Sequence, residues 1–255
     1  MKLTFVGTGS GKTSLKRFHS SLLVEKNRTT LLIDCGDSVS RALLNSGINF
    51  NSITDIIVSH NHADHYTGLP SLITQMKLCN RTEPLKIYLY KMFAHDIWNF
   101  LNACYLFKET IAFQIDIIGF ENNTQININD NLVIMPRKNS HIKKKDEVRE
   151  QNIPWNSSSF LISSKDTNLV YTSDVGSSDD LSLFDDSGFG YFITETTHIS
   201  VSEFDNFLLS RPNVKLYLSH IDDEDEQTIF SWHQNLPPLI KQNVIITDDG
   251  LIENL

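Results

Sequence analysis

The sequence predicts an α/β protein in which two β-sheets pack face to face and helices cover their outer faces. Two observations support this fold class. The first third of the 255-residue chain carries short β-prone runs, separated by polar or glycine-containing turns, at 2–6, 21–26 and 29–34. The last third alternates helices with strands at 190–194, 214–219 and 243–246. Because strand-rich stretches in both halves lead into helices, a sheet-on-sheet core with outer helices follows.

The remaining elements follow from hydrophobic periodicity and turn signals. We predict helices at 38–44, 68–79, 92–107, 179–185, 200–210 and 224–234. We predict strands at 53–58, 85–90 and 131–135, and a hairpin of strands at 158–164 and 168–173. The Asn-rich segment 122–131 is expected to be a turn between two strands. Since no Pro- or Gly-rich linker and no repeat divides the chain, residues 1–255 are expected to form a single domain.

Composition limits the classes of function. Hydrophobic residues make up 40% of the chain and charged residues 21%, which is typical of a globular protein. The net charge of -9 argues against a general nucleic-acid coat, because phosphate binding needs clustered Lys and Arg. Cys35, Cys79 and Cys104 form no CxxC pair, so neither a zinc ribbon nor a disulfide framework is expected. The apolar runs are too short for a signal peptide or a membrane span, which predicts a soluble cytoplasmic protein.

One hexapeptide, His60-Asn61-His62-Ala63-Asp64-His65, contains four potential metal ligands directly after an apolar strand. Imidazole and carboxylate groups suit zinc, iron or manganese. In an extended loop, His60 and His62 would face one ion, while Asp64 and His65 would turn toward a second. The alternative is a solvated polar loop, but three histidines and an aspartate at this spacing argue against it.

The hexapeptide matches the HxHxDH signature of the metallo-β-lactamase superfamily, which the sequence therefore resembles. The resemblance implies an αββα sandwich of two mixed β-sheets flanked by helices. It also implies later ligands at strand ends in the order His, Asp, His, and His141, Asp174 and His220 occupy such positions. Two divalent ions, with zinc preferred over manganese or iron, would share a hydroxide as nucleophile. One ion would be held by His60, His62 and His141 and the other by Asp64, His65 and His220, with Asp174 bridging them.

Further landmarks resemble the ribonuclease Z-like phosphodiesterase branch of this superfamily. They are Phe5-Val6-Gly7-Thr8-Gly9-Ser10, Leu31-Leu32-Ile33-Asp34-Cys35-Gly36 and Tyr66-Thr67-Gly68-Leu69-Pro70-Ser71-Leu72. Within the second landmark, the resemblance assigns Asp34 to supporting the ligand loop.

Thr194-Glu195-Thr196-Thr197 resembles the Glu-Ala-Thr element of the same branch, and His198 resembles its additional histidine. The resemblance therefore assigns catalytic roles to Glu195 and His198, together with the ligand Asp64. An imidazole with a pKa near neutrality can protonate a leaving oxygen while a carboxylate orients it. The alternative is that His198 is a surface histidine at the start of a helix.

The sequence departs from ribonuclease Z in one respect. Only 32 residues separate His141 from Asp174, without a Gly and with one Pro, so the Gly/Pro-rich arm that grips tRNA is absent. The leading hypothesis is therefore a metal-dependent phosphodiesterase that hydrolyses a small nucleotide, which could be cyclic as in anti-Pycsar nucleases. The alternatives are a ribonuclease Z-type tRNA endonuclease, a lactonase or β-lactamase-type hydrolase, and a non-catalytic metal-binding scaffold. The resemblance also implies a homodimer.

Two sets of residues, one basic and one aromatic, have open interpretations. The basic residues Arg137, Lys138 and 143–145 could neutralise substrate phosphate, or could form a mixed-charge solvated loop with the acidic residues that follow. Trp155 could offer a base-stacking surface. Phe93, Trp98 and Phe100 could do so as well, although their near-helical spacing favours a place in the core.

Overall fold

The computed structural model of the protein describes residues 1–149 and 153–255. Its β-strands are β1 (Lys2–Gly7), β2 (Ser21–Lys26), β3 (Thr29–Ile33), β4 (Asp55–Ile57), β5 (Leu85–Tyr90), β6 (Ile115–Phe120), β7 (Ile126–Asn129), β8 (Leu132–Lys138), β9 (Ser158–Ser163), β10 (Asn168–Tyr171), β11 (Tyr191–Glu195), β12 (Lys215–Ser219), β13 (Val244–Ile246) and β14 (Ile252–Asn254). Its α-helices are α1 (Val39–Asn45), α2 (Ala63–Tyr66), α3 (Leu69–Leu78), α4 (Lys91–Ala94), α5 (Ile97–Ala103), α6 (Glu203–Ser210), α7 (Glu226–Asn235) and α8 (Pro238–Lys241). Short 3₁₀ helices occupy Phe50–Ser52, Lys108–Thr110 and Ser178–Ser182.

The strands form two seven-stranded mixed sheets, as the sequence predicts. The first sheet has the order β14-β1-β2-β3-β4-β5-β6, and the second has the order β13-β12-β11-β10-β9-β8-β7. In the first sheet, β3, β4, β5 and β6 are parallel to one another. In the second sheet, β10, β11, β12 and β13 are parallel. Parallel neighbours end at the same edge of a sheet, so each sheet gathers several strand ends in one place.

The core between the sheets is built from alternate residues of each strand. Leu22 and Val24 of β2 lie in this inner cluster, whereas Leu23 between them lies in the cluster on the outer face of the sheet. Phe160 and Tyr217 contribute large buried side chains from the second sheet. This period of two is what a strand with both faces covered requires.

Helices cover the outer face of each sheet. Residues of α1, α3 and α5 pack on the first sheet, including Leu43, Leu72 and Leu101. Phe204 of α6 and Ile229 of α7 pack on the second sheet. Trp98 and the other aromatic residues of α4 and α5 are partly buried against the cluster on the outer face of the first sheet. The structure therefore favours their place in the core over a stacking surface. Among the described residues, no helix is both long enough and apolar enough to span a membrane.

The predicted helix at 92–107 is wrong, because the chain forms two shorter helices, α4 and α5, instead. The second ends at Ala103 with Cys104 as its C-cap, and Tyr105 follows with a left-handed backbone, φ 58°. The amide of Leu106 then donates to the carbonyl of Leu101 at 3.0 Å. This is the hydrogen-bond pattern that closes a helix C-terminus when a residue with positive φ follows it.

Other predicted boundaries are corrected as well. The Asn-rich segment 122–131 contains the strand β7, whose Ile126 and Ile128 alternate with Asn residues and point into the inner core. The predicted helix at 179–185 is a 3₁₀ helix, Ser178–Ser182. The edge strand β14, which was not predicted, pairs antiparallel with β1 and brings the chain's last residues beside its first.

Candidate metal centre

Several predicted site residues, the supporting Asp34 and three of the predicted ligands, follow strand ends in the two sheets. In the first sheet, Asp34 follows β3 directly and His60 lies three residues beyond β4. In the second sheet, Asp174 lies three residues beyond β10, and His220 follows β12 directly. β3 is parallel to β4, and β10 is parallel to β12, with β11 between them in the sheet. The side chains that follow these strands therefore converge. A cleft at the carboxyl ends of strands is the usual place for a site in such sheets.

The ligand hexapeptide is not extended throughout, which corrects the sequence-based expectation. His62 has an extended backbone and caps α2, a single helical turn that carries Asp64 and His65. The backbone amide of His65 donates to the carbonyl of His62 at 3.0 Å. The helical turn is what directs Asp64 and His65 to a different side of the cleft from His60 and His62.

All seven predicted ligands are brought together in two overlapping groups. Within each group, one potential ligand atom from every residue lies within 4.8 Å of all the others. Asp174 belongs to both groups. The first group is His60, His62, His141 and Asp174, and the second is Asp64, His65, Asp174 and His220.

The separations of the ligand atoms suit divalent metal ions. Nitrogen and oxygen ligands at about 2.0–2.1 Å from one tetrahedral zinc ion lie roughly 3.3 Å from each other. Oδ1 of Asp174 lies 3.2 Å from Nε2 of His65 and 3.3 Å from Nε2 of His220. Its Oδ2 lies 3.6 Å from Nε2 of His141 and 3.9 Å from Nε2 of His60. Asp174 thus presents one carboxylate oxygen to each group.

Unsatisfied polar atoms test whether these residues fit a metal. Nε2 of His60, Nε2 of His65 and Oδ1 of Asp174 are buried, and no described residue offers them a hydrogen-bond partner of acceptable geometry. Leaving such atoms unpaired in a folded interior costs about 1–3 kcal/mol each. A metal ion held by each group would satisfy all three atoms, so the donor set fits a pair of metal ions.

The other ring nitrogen of several histidines is held by a neighbour. Nδ1 of His65 contacts Oδ2 of Asp34 at 2.8 Å, and Nδ1 of His60 contacts the Ser59 hydroxyl at 3.0 Å. Nδ1 of His220 contacts the Thr197 hydroxyl at 3.1 Å. Such contacts fix the ring orientation and direct Nε2 toward the centre, as in metal sites of known proteins.

The electrostatic environment divides the histidines into two sets. Burial, together with the nearby His65, lowers the pKa of His60 well below its usual value, and burial lowers the pKa of His141 to about 4. Burial also opposes a charge on His65, but Asp174 and Asp34 outweigh it and raise that pKa well above its usual value. His60 and His141 therefore offer neutral imidazoles. His65 lies in a negative potential that would also attract a divalent cation.

Asp34, which the resemblance assigns to supporting the ligand loop, contacts residues on both sides of the cleft. Its Oδ1 accepts from the Ser59 amide at 2.7 Å, and its Oδ2 accepts from the Ser59 hydroxyl at 2.8 Å. The same Oδ2 accepts from the Tyr171 hydroxyl at 3.1 Å and contacts His65. Asp34 is fully buried. It therefore connects the ligand loop of the first sheet to β10 of the second.

Glu195 and His198 form a third group beside His220. Oε1 of Glu195 accepts from Nδ1 of His198 at 2.7 Å and from the Val175 amide at 3.0 Å. Its Oε2 accepts from the backbone amides of Thr197 and His198. The hydrogen bond from Glu195 raises the pKa of His198 above its usual value. His198 is exposed and its ring lies 4.6 Å from that of His141, so it can reach a ligand bound over the cleft.

Asp180, which was not among the predicted site residues, joins the loops of two predicted ligands. Its carboxylate accepts from the Ser140 amide at 3.1 Å and from the Ser140 hydroxyl at 2.8 Å. It also accepts from the Gly176 amide at 2.8 Å. Gly176 packs so closely on Ser140 that a Cβ would lie 2.3 Å from the Ser140 carbonyl oxygen. The loops before His141 and after Asp174 are therefore held in contact. The sequence signal for this contact is weak, an Asp within a Ser-rich run.

Replacing Asp180 with asparagine should loosen the first ligand group selectively. Oδ2 alone accepts from Ser140 and from Gly176, so the amide oxygen can take over those contacts, but the amide nitrogen then replaces Oδ1 and points a donor at the Ser140 amide. This repulsion would leave His141 poorly fixed relative to Asp174. We expect affinity for one of two bound metal ions to fall about 10–100-fold, the range for lost supporting contacts. Competition with a chelator would measure both affinities. The neighbouring Asp179→Asn is the control, and equal affinities in both variants would contradict this role.

Comparison with known proteins identifies the family to which the chain belongs. The family model described as "Anti-Pycsar protein Apyc1" matches residues 1–245. The chain belongs to this family. Ribonuclease Z of Methanococcus maripaludis (strain C7) is 37% identical to it over 105 residues, which are 41% of this chain and 34% of that protein. The chain thus covers about a third of that relative's length.

Solved structures show the same fold. The metallo-β-lactamase fold protein YhfI from Bacillus subtilis has a TM-score of 0.72 at 21% identity, covering 99% of this chain and 98% of YhfI. The short form of human tRNase Z has a TM-score of 0.71 at 18% identity, covering 100% of this chain and 99% of that one. The predicted αββα sandwich and the predicted place in the ribonuclease Z-like branch are both confirmed. The chain therefore has the metallo-β-lactamase fold.

Proposed function

We propose that the protein is a metal-dependent phosphodiesterase that hydrolyses a small, cyclic nucleotide. The observation that carries this proposal is the combination of two ligand groups sharing Asp174 with the Glu195–His198 pair at their edge. Two divalent ions, with zinc the leading candidate, would be held by His60, His62 and His141 on one side and Asp64, His65 and His220 on the other. When bound, such ions supply an activated water and stabilise negative charge on phosphoryl oxygens.

The chain's own groups divide the remaining tasks. Asp174 links the two ligand groups and fixes their separation. Asp34 fixes the loop that carries His60 and His65. His198 presents a protonated imidazole to the leaving oxygen, because Glu195 binds its Nδ1 and raises its pKa. Nε2 of His198 is the atom that would donate the proton, after which Glu195 stabilises the ring in the correct tautomer.

Removal of the His198 imidazole should affect substrates according to their leaving group. We expect His198→Ala to lower kcat for a cyclic nucleotide about 10²–10³-fold, because its sugar alkoxide must be protonated as it leaves. The loss for bis(p-nitrophenyl) phosphate should stay below about tenfold, since nitrophenolate departs without a proton. Steady-state kinetics with both substrates measures the difference. His233→Ala, which removes a histidine of α7 that contacts the Val244 carbonyl, is the control. Equal losses for both substrates would rule out the proton-donor role.

A ribonuclease Z-type tRNA endonuclease is the second candidate. It is supported by the similarity to Methanococcus ribonuclease Z, at 37% identity over 105 residues. Against it, the 32 residues between His141 and Asp174 have no Gly/Pro-rich arm. The described part of this interval contains β9 and β10 of the core sheet. Lactonase chemistry and a non-catalytic scaffold find less support, since Glu195 and His198 suit a phosphodiester and both ligand groups are complete.

One screen tests the proposal against its rivals. Metal-reconstituted protein is incubated with cyclic mononucleotides, cyclic dinucleotides, precursor tRNA and a lactone, and the products are separated by chromatography. We expect cyclic nucleotides to be opened to monophosphates. Cleavage of precursor tRNA without turnover of cyclic nucleotides would favour the second candidate instead. Three further expectations stay predictions: a single domain over residues 1–255, a homodimer and a cytoplasmic location.

A further inference from the structure

A cavity of about 590 Å³ adjoins the candidate metal centre on the side of His62 and His141. Five apolar residues of one segment line it: Ile142, Val148, Ile153, Pro154 and Trp155. We call this cavity the Trp155 pocket. Its volume lies within the range of small-molecule sites, and an apolar wall with a few polar groups is their usual lining. A phosphodiester bound at the ligand groups would therefore lie next to a space suited to a flat, apolar substituent.

The charge of the pocket differs from that of the whole chain. Lys143 and Lys145 line it, and none of its described lining residues is acidic, although the net charge of the protein is -9. Arg137 of the same basic stretch is used elsewhere, since it binds Asp186 through two contacts of 2.8 Å and packs over the ring of Phe184. The two lysines give the pocket a local positive potential, which favours an anionic ligand.

The chain around Trp155 is anchored on its C-terminal side. Pro154 fixes its own φ, and the Asn156 amide donates to the Pro154 carbonyl at 2.7 Å. The Asn156 side chain donates to the Ser158 hydroxyl at 2.9 Å and accepts from Asn122 at 2.6 Å. The backbone of Ser158 in turn donates to the carbonyl of Ser59, next to the ligand His60. Trp155 is thus tied to the same loop that carries the metal ligands.

We propose that the Trp155 pocket binds the nucleobase of a nucleotide whose phosphate lies at the metal centre. This inference rests on the proposed function. A flat aromatic ring joined to an anionic phosphate is the ligand chemistry that matches an indole, an apolar wall and two lysines beside metal ligands. Stacking of a base on an aromatic side chain strengthens binding about 5–150-fold by alanine substitution, and it does not depend on the identity of the base.

The test compares two ligands that differ only in the base. A nucleoside 5′-monophosphate and ribose 5-phosphate are titrated calorimetrically into metal-loaded protein. We expect the nucleotide to bind at least about tenfold more tightly, consistent with one stacked base. Trp155→Leu keeps an apolar side chain but removes the aromatic face, and it should abolish this preference. Trp155→Phe should keep most of it. Trp232→Phe is the control, because Trp232 lies on α7 and donates to Asp205 at 3.0 Å.

The results separate this inference from the proposed function. If the wild-type protein opens cyclic nucleotides but binds the nucleotide no more tightly than ribose 5-phosphate, the pocket assignment is wrong and the function stands. If no cyclic nucleotide is hydrolysed but the base preference depends on Trp155, the pocket stands and the function is wrong. An unchanged preference in Trp155→Leu, with unchanged metal content, would place the base elsewhere.

Discussion

Replacing Asp174 with alanine is expected to remove at least one metal ion per chain and to lower kcat about 10³-fold. Asp174 is the one residue shared by both ligand groups, with Oδ1 near His65 and His220 and Oδ2 near His141. Metal-centred charge stabilisation is worth several kcal/mol, and about 1.4 kcal/mol corresponds to a factor of ten in rate. Without this carboxylate, the two groups also lose an anion that would offset the positive charge of bound metal ions.

Elemental analysis of the purified variant and kinetics with bis(p-nitrophenyl) phosphate would measure both effects. Asp55→Asn is a matched control, because Asp55 is also a buried aspartate but begins β4 at the end remote from His60. Burial raises the pKa of Asp55, so a neutral amide should be tolerated there. If Asp174→Ala keeps two ions per chain and its kcat stays within tenfold of the wild type, Asp174 does not bridge the ligand groups.

The ligand hexapeptide could be predicted from the sequence because its information is local. Four potential ligands within six residues, directly after an apolar strand, are typical of a metal site and of little else. The resemblance, together with the strand ends, predicts His141, Asp174 and His220 as the remaining ligands. The parallel arrangement of β10, β11 and β12 shows why strand ends that are distant in the sequence converge in space.

The turns that position these ligands could not be predicted in the same way. Asp34, Ser173 and His220 all have left-handed backbones, with φ of 61°, 56° and 50°. Nothing in their side chains demands this conformation, which is uncommon for residues other than Gly. Tertiary contacts impose it, such as those from Asp34 to Ser59 and from Ser173 to the same hydroxyl. Strain of this kind is often concentrated at functional sites.

Asp180 and the Trp155 pocket illustrate a second limit. Asp180 contacts Ser140, a residue 40 positions earlier, and it does so from a 3₁₀ helix that the periodicity suggested as an α-helix. The basic stretch looked uniform in the sequence, yet Arg137 pairs with Asp186 while Lys143 and Lys145 line the pocket. A charge pattern along the chain does not say which side chains face the same cavity. That depends on the path of the chain after β8, before it returns to the same sheet as β9.

Replacing Asp34 with alanine is expected to lower the free energy of unfolding by about 3–5 kcal/mol even without metal. The carboxylate accepts hydrogen bonds from the amide and hydroxyl of Ser59 and from Tyr171, and it contacts His65, all in a buried position. Each buried donor left without an acceptor costs about 1–3 kcal/mol. Metal affinity should fall about 10–100-fold as well, because the ring of His65 is no longer oriented.

Urea unfolding in the presence of a chelator would isolate the stability effect from the loss of metal. Asp34→Asn should have an intermediate effect, because the amide can accept at only one of the two oxygen positions. Its nitrogen must therefore face either the Ser59 amide or the cluster around Oδ2, and two donors would meet in both cases. Asp37→Asn changes an exposed aspartate three residues later and should alter stability by less than about 0.5 kcal/mol. If Asp34→Ala unfolds within about 1 kcal/mol of the wild type, Asp34 does not hold the two sides of the cleft together.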